Sequence, residues 1–287
     1  MNRKNLVRRI SGILTRETAR LAPNGPDRGL GRPTLPMAVA GVILFSLIGG
    51  CGGSTGGGES GDEMKIAFLH HSTGKNIWDG GVRKCLKKQG RENKTKYDIR
   101  EIAFPKESPY GWNNYPYDYW KIWVENAGPD KYLDEPTLEI LTEDYQVIVF
   151  KHCFPVSDIS PDTGSPDVAS SEKKLENYKL QYAALKEKML QFPETKFLVW
   201  TGAALVEQRS DNERGARARE FASWVQEEWN EPGDNIFVWD LFTLETGGGL
   251  FMKEEFAQSP TNSHPNREFS KKAAEEFCKR LVQIIEE

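Results

Sequence analysis

Apolar side chains recur along the chain in short runs of strand length. These runs occupy residues 65–70, 98–103, 146–150, 196–201 and 235–239. Between them lie longer segments in which apolar residues return every three or four positions, the spacing of a helix with one buried face. Strand and helix signals that alternate in this way predict a mostly parallel sheet with helices on both sides.

Helical periodicity covers residues 80–89, 115–127, 136–141, 171–191, 212–229 and 267–286. Ser171 and Asp211 stand at the start of two of these segments and are predicted N-caps, since their side-chain oxygens can accept hydrogen bonds from the first turn. Five strands with flanking helices predict an α/β fold, a three-layer, flavodoxin-like sandwich. Residues 112–136 fit the alternation poorly and are predicted to cap a crevice, and residues 247–260 are predicted to form a mobile loop.

A serine and a histidine occupy positions that such a sheet would bring together. Ser72 follows the first predicted strand in a turn that contains Gly74, and His264 precedes the last predicted helix. Both positions fall at the carboxyl-terminal edge of a doubly wound sheet, where ligands bind. A serine hydroxyl becomes an effective nucleophile when an imidazole accepts its proton. The pair therefore predicts a hydrolase with Ser72 as nucleophile and His264 as general base.

In these residues the chain resembles the SGNH hydrolases, the family of GDSL-type esterases and lipases, over residues 64–287. The family's first block, Gly-Asp-Ser, is matched by residues 70–72, of which Ser72 alone carries over. The last block, Asp-x-x-His-Pro, is matched by residues 261–265, which keep His264 and Pro265 but have Thr261 in place of the aspartate. The resemblance implies a divergent branch of this family.

The resemblance also implies how the rest of the site is supplied. An oxyanion hole would use the amides of Ser72 and Gly111, with His152 where the family has an asparagine after the third strand. The third member of a triad is left open: Asp240 follows the last strand, Asn262 lies closer to the histidine in sequence, and a Ser-His dyad without an acid is the remaining alternative. The implied chemistry needs no metal and no organic cofactor.

The spacing of the histidines and cysteines in this region matches no metal site. His70 and His71 would point to opposite faces of a strand, and the cysteines follow no zinc pattern. At most one disulfide can form among Cys85, Cys153 and Cys278. Because Cys85 and Cys278 lie in predicted amphipathic helices, where a buried thiol is common, the cysteines are predicted to serve packing.

The first fifty residues differ from the rest of the chain. They carry eight Lys or Arg and two Asp or Glu, a balance of +6 in a chain of net charge −4, which leaves −10 for the remainder. The apolar run 37–48 is too short to cross a bilayer and is typical of a secretory signal. Small residues and then Cys51 follow it, a pattern that resembles the bacterial lipobox and implies a lipid on the Cys51 sulfur.

These features predict three regions. Residues 1–50 form a signal or leader segment, with translation starting at Met37 or with an extended leader; residues 51–63 form the lipidated cysteine and a Gly- and Ser-rich linker; residues 64–287 form the SGNH-like domain. Such a protein is expected at the bacterial cell envelope, exported and lipid-anchored. The acidic domain has no basic stripe in its sequence, so nucleic acid is not an expected partner.

The sequence therefore predicts an exported serine hydrolase that cleaves carboxylic esters, conceivably acyl or acetyl groups on carbohydrates. The alternative is a noncatalytic surface lipoprotein that keeps the fold and binds carbohydrate. Thr261 favours this alternative, because it replaces the family's aspartate and cannot compensate the charge of an imidazolium.

Overall fold

The structure, a computed structural model, describes residues 63–287. The predicted signal segment, Cys51 and most of the predicted linker lie outside the described residues. Five strands form one sheet, in which every neighbouring pair is parallel and the order is β2-β1-β3-β4-β5. The strands are β1 (Glu63–His70), β2 (Lys96–Ala103), β3 (Val147–Phe150), β4 (Lys196–Trp200) and β5 (Ile236–Trp239).

This strand order is that of a flavodoxin-like sheet and confirms the predicted fold class. The order reverses at β1, which lies between β2 and β3. In open α/β sheets the crevice beyond the carboxyl ends of the strands at such a reversal binds the ligand. The residues that follow β1 and β3 are therefore placed to form a site.

Eight α-helices connect and cover the strands within residues 63–287, and two of them continue into a π-helical turn, at Lys121–Glu125 and Val225–Trp229. The helices are α1 (Thr73–Asp79), α2 (Val82–Asn93), α3 (Pro116–Trp120), α4 (Leu138–Asp144), α5 (Leu175–Met189), α6 (Asn212–Trp224), α7 (Leu241–Thr246) and α8 (Arg267–Glu286). None of these helices combines the length and the apolarity that a bilayer-spanning segment needs.

Alternation along the strands divides the interior into two cores. In β3, Val147 and Val149 face a core that α1, α2 and α8 complete, whereas Ile148 and Phe150 face a core completed by α3, α5 and α6. Because both faces are covered, all residues of β3 are buried. The run of apolar residues without polar alternation is the pattern expected of a central parallel strand.

The predicted strands are all present, with end points shifted by one or two residues. The structure adds two helices that the sequence analysis missed, α1 and α7, and a short antiparallel hairpin of β6 (Ala257–Ser259) and β7 (Asn262–Pro265). The first strand of the hairpin lies in the segment predicted as a mobile loop, and the second strand follows that segment. Helices α1 and α7 have only seven and six residues, too few to show a helical period in the sequence.

Two local predictions about the helices and loops were wrong, and one was confirmed. Asp211 caps α6 by accepting a hydrogen bond from the Arg214 amide at 2.8 Å. Ser171 does not cap α5, since Lys174 forms a bridge to Ser160 in extended conformation and the helix begins at Leu175. Residues 112–136 do not simply cap a crevice, because the large aromatic side chains of α3 and of the π-helical turn after it are buried in the second core.

The prediction that the cysteines serve packing alone was also wrong. Cys85 of α2 and Cys278 of α8 form a disulfide with a Cα–Cα distance of 6.3 Å, and Cys153 is a free thiol. The two helices pack side by side on the same face of the sheet, which brings half-buried Cys85 against buried Cys278. The disulfide links residues 193 positions apart and so ties the first helices to the last one.

A cross-link over so long a loop restricts the unfolded chain strongly. We expect reduction of the Cys85–Cys278 disulfide to lower the free energy of unfolding by about 2–4 kcal/mol. The measurement is urea unfolding with and without reductant. The variant Cys153→Ala should respond to reductant as the wild type does, and Cys85→Ala/Cys278→Ala should not respond. Equal unfolding midpoints of the oxidised and reduced wild type would contradict the assignment.

Candidate active site

Ser72 occupies a sharp turn between β1 and α1. Its backbone has φ 52° and ψ −111°, in the left-handed half of conformational space that non-glycine residues rarely adopt. The Gly74 amide donates to the His71 carbonyl at 2.9 Å and closes the turn. Position 74 requires glycine for another reason: a Cβ there would lie 2.6 Å from the His70 side chain. The chain thus reverses tightly enough to leave the Ser72 hydroxyl half exposed at the end of the sheet.

The hairpin supplies the other two polar groups. Asn262 and His264 are two residues apart in β7, so their side chains point to the same face of the strand. Ser263 points the other way, where its Oγ accepts a hydrogen bond from the Val206 amide at 3.0 Å and fixes the hairpin to the loop after β4. The ring of Phe154 packs edge-on against the His264 ring at a centroid distance of 5.2 Å.

These groups form a continuous chain of hydrogen bonds. The Ser72 hydroxyl contacts Nε2 of His264, and Nδ1 of His264 lies 2.7 Å from Oδ1 of Asn262. The Asn262 amide nitrogen donates to Oε1 of Gln258 at 3.0 Å, which directs Oδ1 towards the histidine. An oxygen acceptor at Nδ1 places the imidazole proton there, so Nε2 has a free lone pair for the Ser72 proton. The structure therefore brings together Ser72, His264 and Asn262.

Asp240, the other candidate for the third group, does not face the histidine. Its Oδ1 accepts from the Thr243 amide at 3.1 Å and from the Thr201 hydroxyl at 3.0 Å. The carboxylate thus caps α7, because β5 ends one residue before the helix begins and leaves Asp240 at the N-cap position. A carboxylate used in this way cannot also orient the ring of His264.

Two of the three predicted oxyanion donors are placed elsewhere. The Gly111 amide donates to the Glu107 carbonyl at 2.6 Å inside an exposed turn. His152 is buried in the second core, where its ring contacts Tyr119 and Tyr182. The amide of Ser72 is the predicted donor that lies at the nucleophile, and no acceptor for it is found among residues 63–287.

Alternation along β3 explains the position of His152 and reveals a residue that the sequence analysis missed. If the strand pattern continues past Phe150, residue 151 shares a face with Val149 and residue 152 shares a face with Phe150. Lys151 accordingly points to the side of α1 and α8. Its side chain is completely buried, and Nζ donates to the His71 carbonyl at 3.2 Å. In the sequence, Lys151 could have been noticed as a lysine that directly follows an uninterrupted apolar strand.

The Lys151 ammonium is the dominant charge near the site. Burial lowers the pKa of His264, and the nearby positive charge of Lys151 lowers it further. Burial likewise lowers the pKa of Lys151 itself, while Glu245 opposes this shift. Burial raises the pKa of Glu245 to about 8, although the Ala204 amide donates to it at 2.6 Å. The histidine is therefore kept neutral, as a base must be, to a pH below its ordinary pKa.

A buried network connects the loops on either side of the turn that holds Ser72. The side chain of Asn114 donates to the Phe104 carbonyl after β2 at 2.7 Å, and the Asn114 carbonyl accepts from the Cys153 amide after β3 at 2.7 Å. The Asp118 carboxylate accepts a hydrogen bond from the backbone N–H of Asn114 at 2.7 Å. Burial raises the pKa of this carboxyl to about 6. The loops that follow β2 and β3 are thereby fixed to each other across the end of β1.

His70, His71 and Asp158 each bind other partners within the protein. His71 Nε2 lies 2.7 Å from the Pro105 carbonyl, and buried His70 lies 3.4 Å from a Glu101 oxygen. Asp158 pairs with Lys173 at 2.7 Å and with Arg214 at 3.1 Å. No group of three or more His, Cys, Asp or Glu side chains suited to a metal ion occurs in the described part of the chain.

A polar groove of about 560 Å³ adjoins His264 through the ring of Phe154. Lys173, Asp158, Arg214 and Asp211 form a chain of ion pairs along it. The complete lining consists of Phe154, Pro155, Asp158, Lys173, Leu205, Gln208, Arg209, Ser210, Asp211 and Arg214. A substrate that reaches the Ser72 hydroxyl thus has an adjacent cleft for the part of the molecule that does not react.

Comparisons with known proteins give limited similarity. No protein-family model matches the sequence, and no curated protein matches it. Among solved structures, the chain is similar to a gut microbial diltiazem-metabolizing enzyme, with 12% identity and a TM-score of 0.45 over 76% of this chain and 46% of that one. It is also similar to a carbohydrate esterase whose active site is described as having divergent catalytic and non-catalytic binding functions, with 11% identity and a TM-score of 0.36 over 77% of this chain and 65% of that one. The chain spans less than two thirds of the length of either protein, and interpretation of the site rests on its own geometry.

Proposed function

We propose that this protein is a serine hydrolase that cleaves carboxylic esters, of the SGNH type that its sequence resembles. Two contacts of His264 carry the proposal. Its Nε2 contacts the Ser72 hydroxyl, and its Nδ1 is hydrogen-bonded to Asn262 Oδ1. Residues encoded 192 positions apart meet in the relative arrangement that nucleophilic catalysis requires. Binding of a ligand alone requires no such arrangement.

In the first half-reaction Ser72 Oγ attacks the acyl carbon of the ester, and its proton passes to His264 Nε2. The Ser72 amide donates to the oxyanion that forms, since it belongs to the same residue as the attacking oxygen. The tetrahedral intermediate then breaks the bond to the alcohol, which leaves with the proton from Nε2. The product is an acyl-enzyme on Ser72.

In the second half-reaction a water molecule replaces the alcohol. His264 accepts a proton from the water, whose oxygen attacks the acyl carbon, and the carboxylic acid leaves as Ser72 recovers its proton. Asn262 keeps the ring in the required tautomer throughout but has no charge to stabilise the imidazolium. Turnover is therefore expected to be slower than with a carboxylate at Nδ1.

Lys151 supports this chemistry through the peptide that joins His71 to Ser72. A cation on the His71 carbonyl polarises the peptide and makes the Ser72 N–H on its opposite side a stronger donor to the oxyanion. The same contact holds the turn in its left-handed conformation, a state that costs about 1–3 kcal/mol when unsupported. Lys151 therefore acts on the nucleophile and on its oxyanion donor without touching the substrate.

For the alcohol we propose a carbohydrate. Support comes from the groove beside Phe154, whose many ionised and amide side chains suit a hydroxyl-rich molecule better than a lipid chain. We also propose export and a lipid at Cys51. The Cys85–Cys278 disulfide supports export, because disulfides persist mainly in oxidising compartments.

The nucleophile can be tested with a fluorophosphonate probe and a chromogenic acetyl ester. We expect the probe to label the protein at Ser72 and the ester to be hydrolysed, with and without a chelator. Ser72→Ala should abolish the labelling and lower turnover by about 10³-fold or more. Ser165→Ala, a change of an exposed serine, is the matched control and should leave both unchanged. A native protein that neither reacts with the probe nor hydrolyses any acetylated sugar would instead indicate the noncatalytic carbohydrate-binding protein.

The role of Asn262 can be tested by restoring a carboxylate. In Asn262→Asp the negative charge at Nδ1 should raise the pKa of His264, and turnover at alkaline pH should increase about tenfold for each unit of that rise. Asn262→Ala should lower turnover about 10²-fold, because the ring loses its fixed tautomer. The measurements are pH profiles of kcat for the three proteins. Equal kcat values for wild type and Asn262→Ala would show that Asn262 does not orient the base.

The influence of Lys151 appears in the acid limb of kcat/KM. Since neutral His264 is the active form, activity should be lost as pH falls through a pKa below the usual 6.5. Lys151→Met removes the positive charge, so this limb should move to higher pH, and kcat should fall at all pH values with little change in KM. Lys75→Met, a change of an exposed lysine on α1, is the control and should leave the limb in place. If Lys151→Met has an unshifted acid limb, the electrostatic role is wrong even if the variant is less stable.

A further inference from the structure

Helix α2 carries a basic surface that the sequence analysis did not identify. Arg83, Lys87 and Arg91 repeat every fourth residue on the exposed side of α2, and Lys94 continues the row into the following turn. We call these four residues the cationic stripe. It borders a groove of about 1120 Å³ between α2 and the edge strand β2. The expectation that the domain lacks a basic stripe was therefore wrong, since helical spacing aligns residues that are separated in sequence.

The cations of the stripe are not neutralised by the protein. Nearby carboxylates pair with other residues: Glu63 with Lys96 at 2.5 Å, Glu92 with Lys88 at 3.8 Å, and Asp98 with Arg100 at 3.5 Å. Within residues 63–287 no ion pair involves the four residues of the stripe. Like charges four residues apart destabilise a helix. The arrangement therefore favours an anionic partner that lies outside the folded domain.

The cationic stripe runs along the β2 side of the sheet, and its Lys94 end lies beside the first residues of β1 and β2, away from Ser72. Glu63 begins β1 and lines the groove, whereas Ser72 follows the other end of the same strand. An eight-residue strand separates its two ends by about 26 Å. The described chain also begins here, so residues 1–62 join the domain at the edge of the basic groove.

We propose that the cationic stripe docks the domain on an anionic phospholipid surface, which would meet the domain along α2 and the β2 edge of the sheet. The predicted lipid attachment at Cys51 lies twelve residues before Glu63, and a chain of that length spans at most about 40 Å. A tether of this length keeps the domain within reach of the bilayer, and Arg91 and Lys94 of the stripe lie at the edge where the tether enters. The stripe is the part of the domain that an anionic surface would attract, because residues 51–287 as a whole carry a net charge of −10.

A lipid surface fits the stripe better than a nucleic acid does. The stripe follows one helix of twelve residues, which is about 18 Å long. A duplex that extended beyond this length would meet the acidic remainder of the domain, whereas a flat surface can be touched by the α2 side of the domain alone. Basic clusters next to a membrane attachment point commonly bind anionic lipids in this way.

The test uses residues 63–287, which contain both cores and all the helices that cover the sheet. The protein is sedimented with vesicles of phosphatidylcholine, alone or mixed with phosphatidylglycerol, at low and high salt. A triple variant, Arg83→Glu/Lys87→Glu/Arg91→Glu, removes the stripe. A control of equal charge change, Lys106→Glu/Lys131→Glu/Arg219→Glu, alters exposed cations outside α2. Circular dichroism and the Cys85–Cys278 disulfide report whether each variant is folded.

We expect binding to the mixed vesicles that weakens with salt, and no binding to phosphatidylcholine alone. Each stripe cation should contribute about fivefold in affinity, so the stripe variant should bind at least about 100-fold more weakly. The control should bind within a few fold of wild type. Equal loss in both variants, or no binding of the wild type at low salt, overturns the proposal. Stripe-dependent binding of duplex DNA that is tighter than binding to the mixed vesicles overturns the choice of partner.

Discussion

The site depends on one backbone constraint, the left-handed conformation of Ser72 at the end of β1. A regular exit from the strand would carry the serine hydroxyl along the strand direction instead of turning it towards the hairpin. The His71 carbonyl accepts from both Gly74 and Lys151, so a backbone hydrogen bond and a buried ammonium support the same turn. Gly74 allows α1 to start directly against His70. The nucleophile is thus positioned by main-chain geometry that the sheet and the first core enforce.

Much of the fold follows from sequence because its signals are local. Four strands of the sheet are short apolar runs, whereas β2, at the edge, mixes apolar and charged residues, and α8 begins and ends as its periodicity predicts. The position of His264 near Ser72 was also predictable, since sheet topology brings the ends of β1 and the region before α8 to one edge. Asn262 was one of two candidates, and what decides between them is its place on the same face of β7 as His264, in a hairpin too short to show a strand pattern.

The parts that sequence analysis missed depend on contacts between distant segments. The disulfide requires knowledge that α2 and α8 are neighbours on one face of the sheet. Gly111 follows β2 as the family pattern requires, but its amide is used within its own turn. His152, expected at the oxyanion, is buried in the second core, and Lys151 faces the first core, because alternation continues for two residues beyond the end of β3. The cationic stripe becomes visible only when α2 is built as a helix beside an edge strand.

Two edges of the sheet have different chemistry. The carboxyl ends of the strands hold a neutral base, a strained nucleophile and a buried cation, while the side of the sheet at β2 presents unpaired positive charge along α2. The Cys85–Cys278 disulfide connects the helices that cover the first core. A domain docked along α2 would leave the carboxyl ends of the central strands open to substrates in solution.

The central claim is that Ser72, His264 and Asn262 act as one unit whose oxyanion donor is the Ser72 amide. The most direct measurement is a crystal structure of the protein after reaction with a fluorophosphonate. Our account predicts phosphorus bonded to Ser72 Oγ, a phosphonyl oxygen accepting from the Ser72 amide, His264 Nε2 beside the adduct and Asn262 Oδ1 still at Nδ1. Phosphorus on a different residue, or a phosphonyl oxygen turned away from the Ser72 amide, would contradict it.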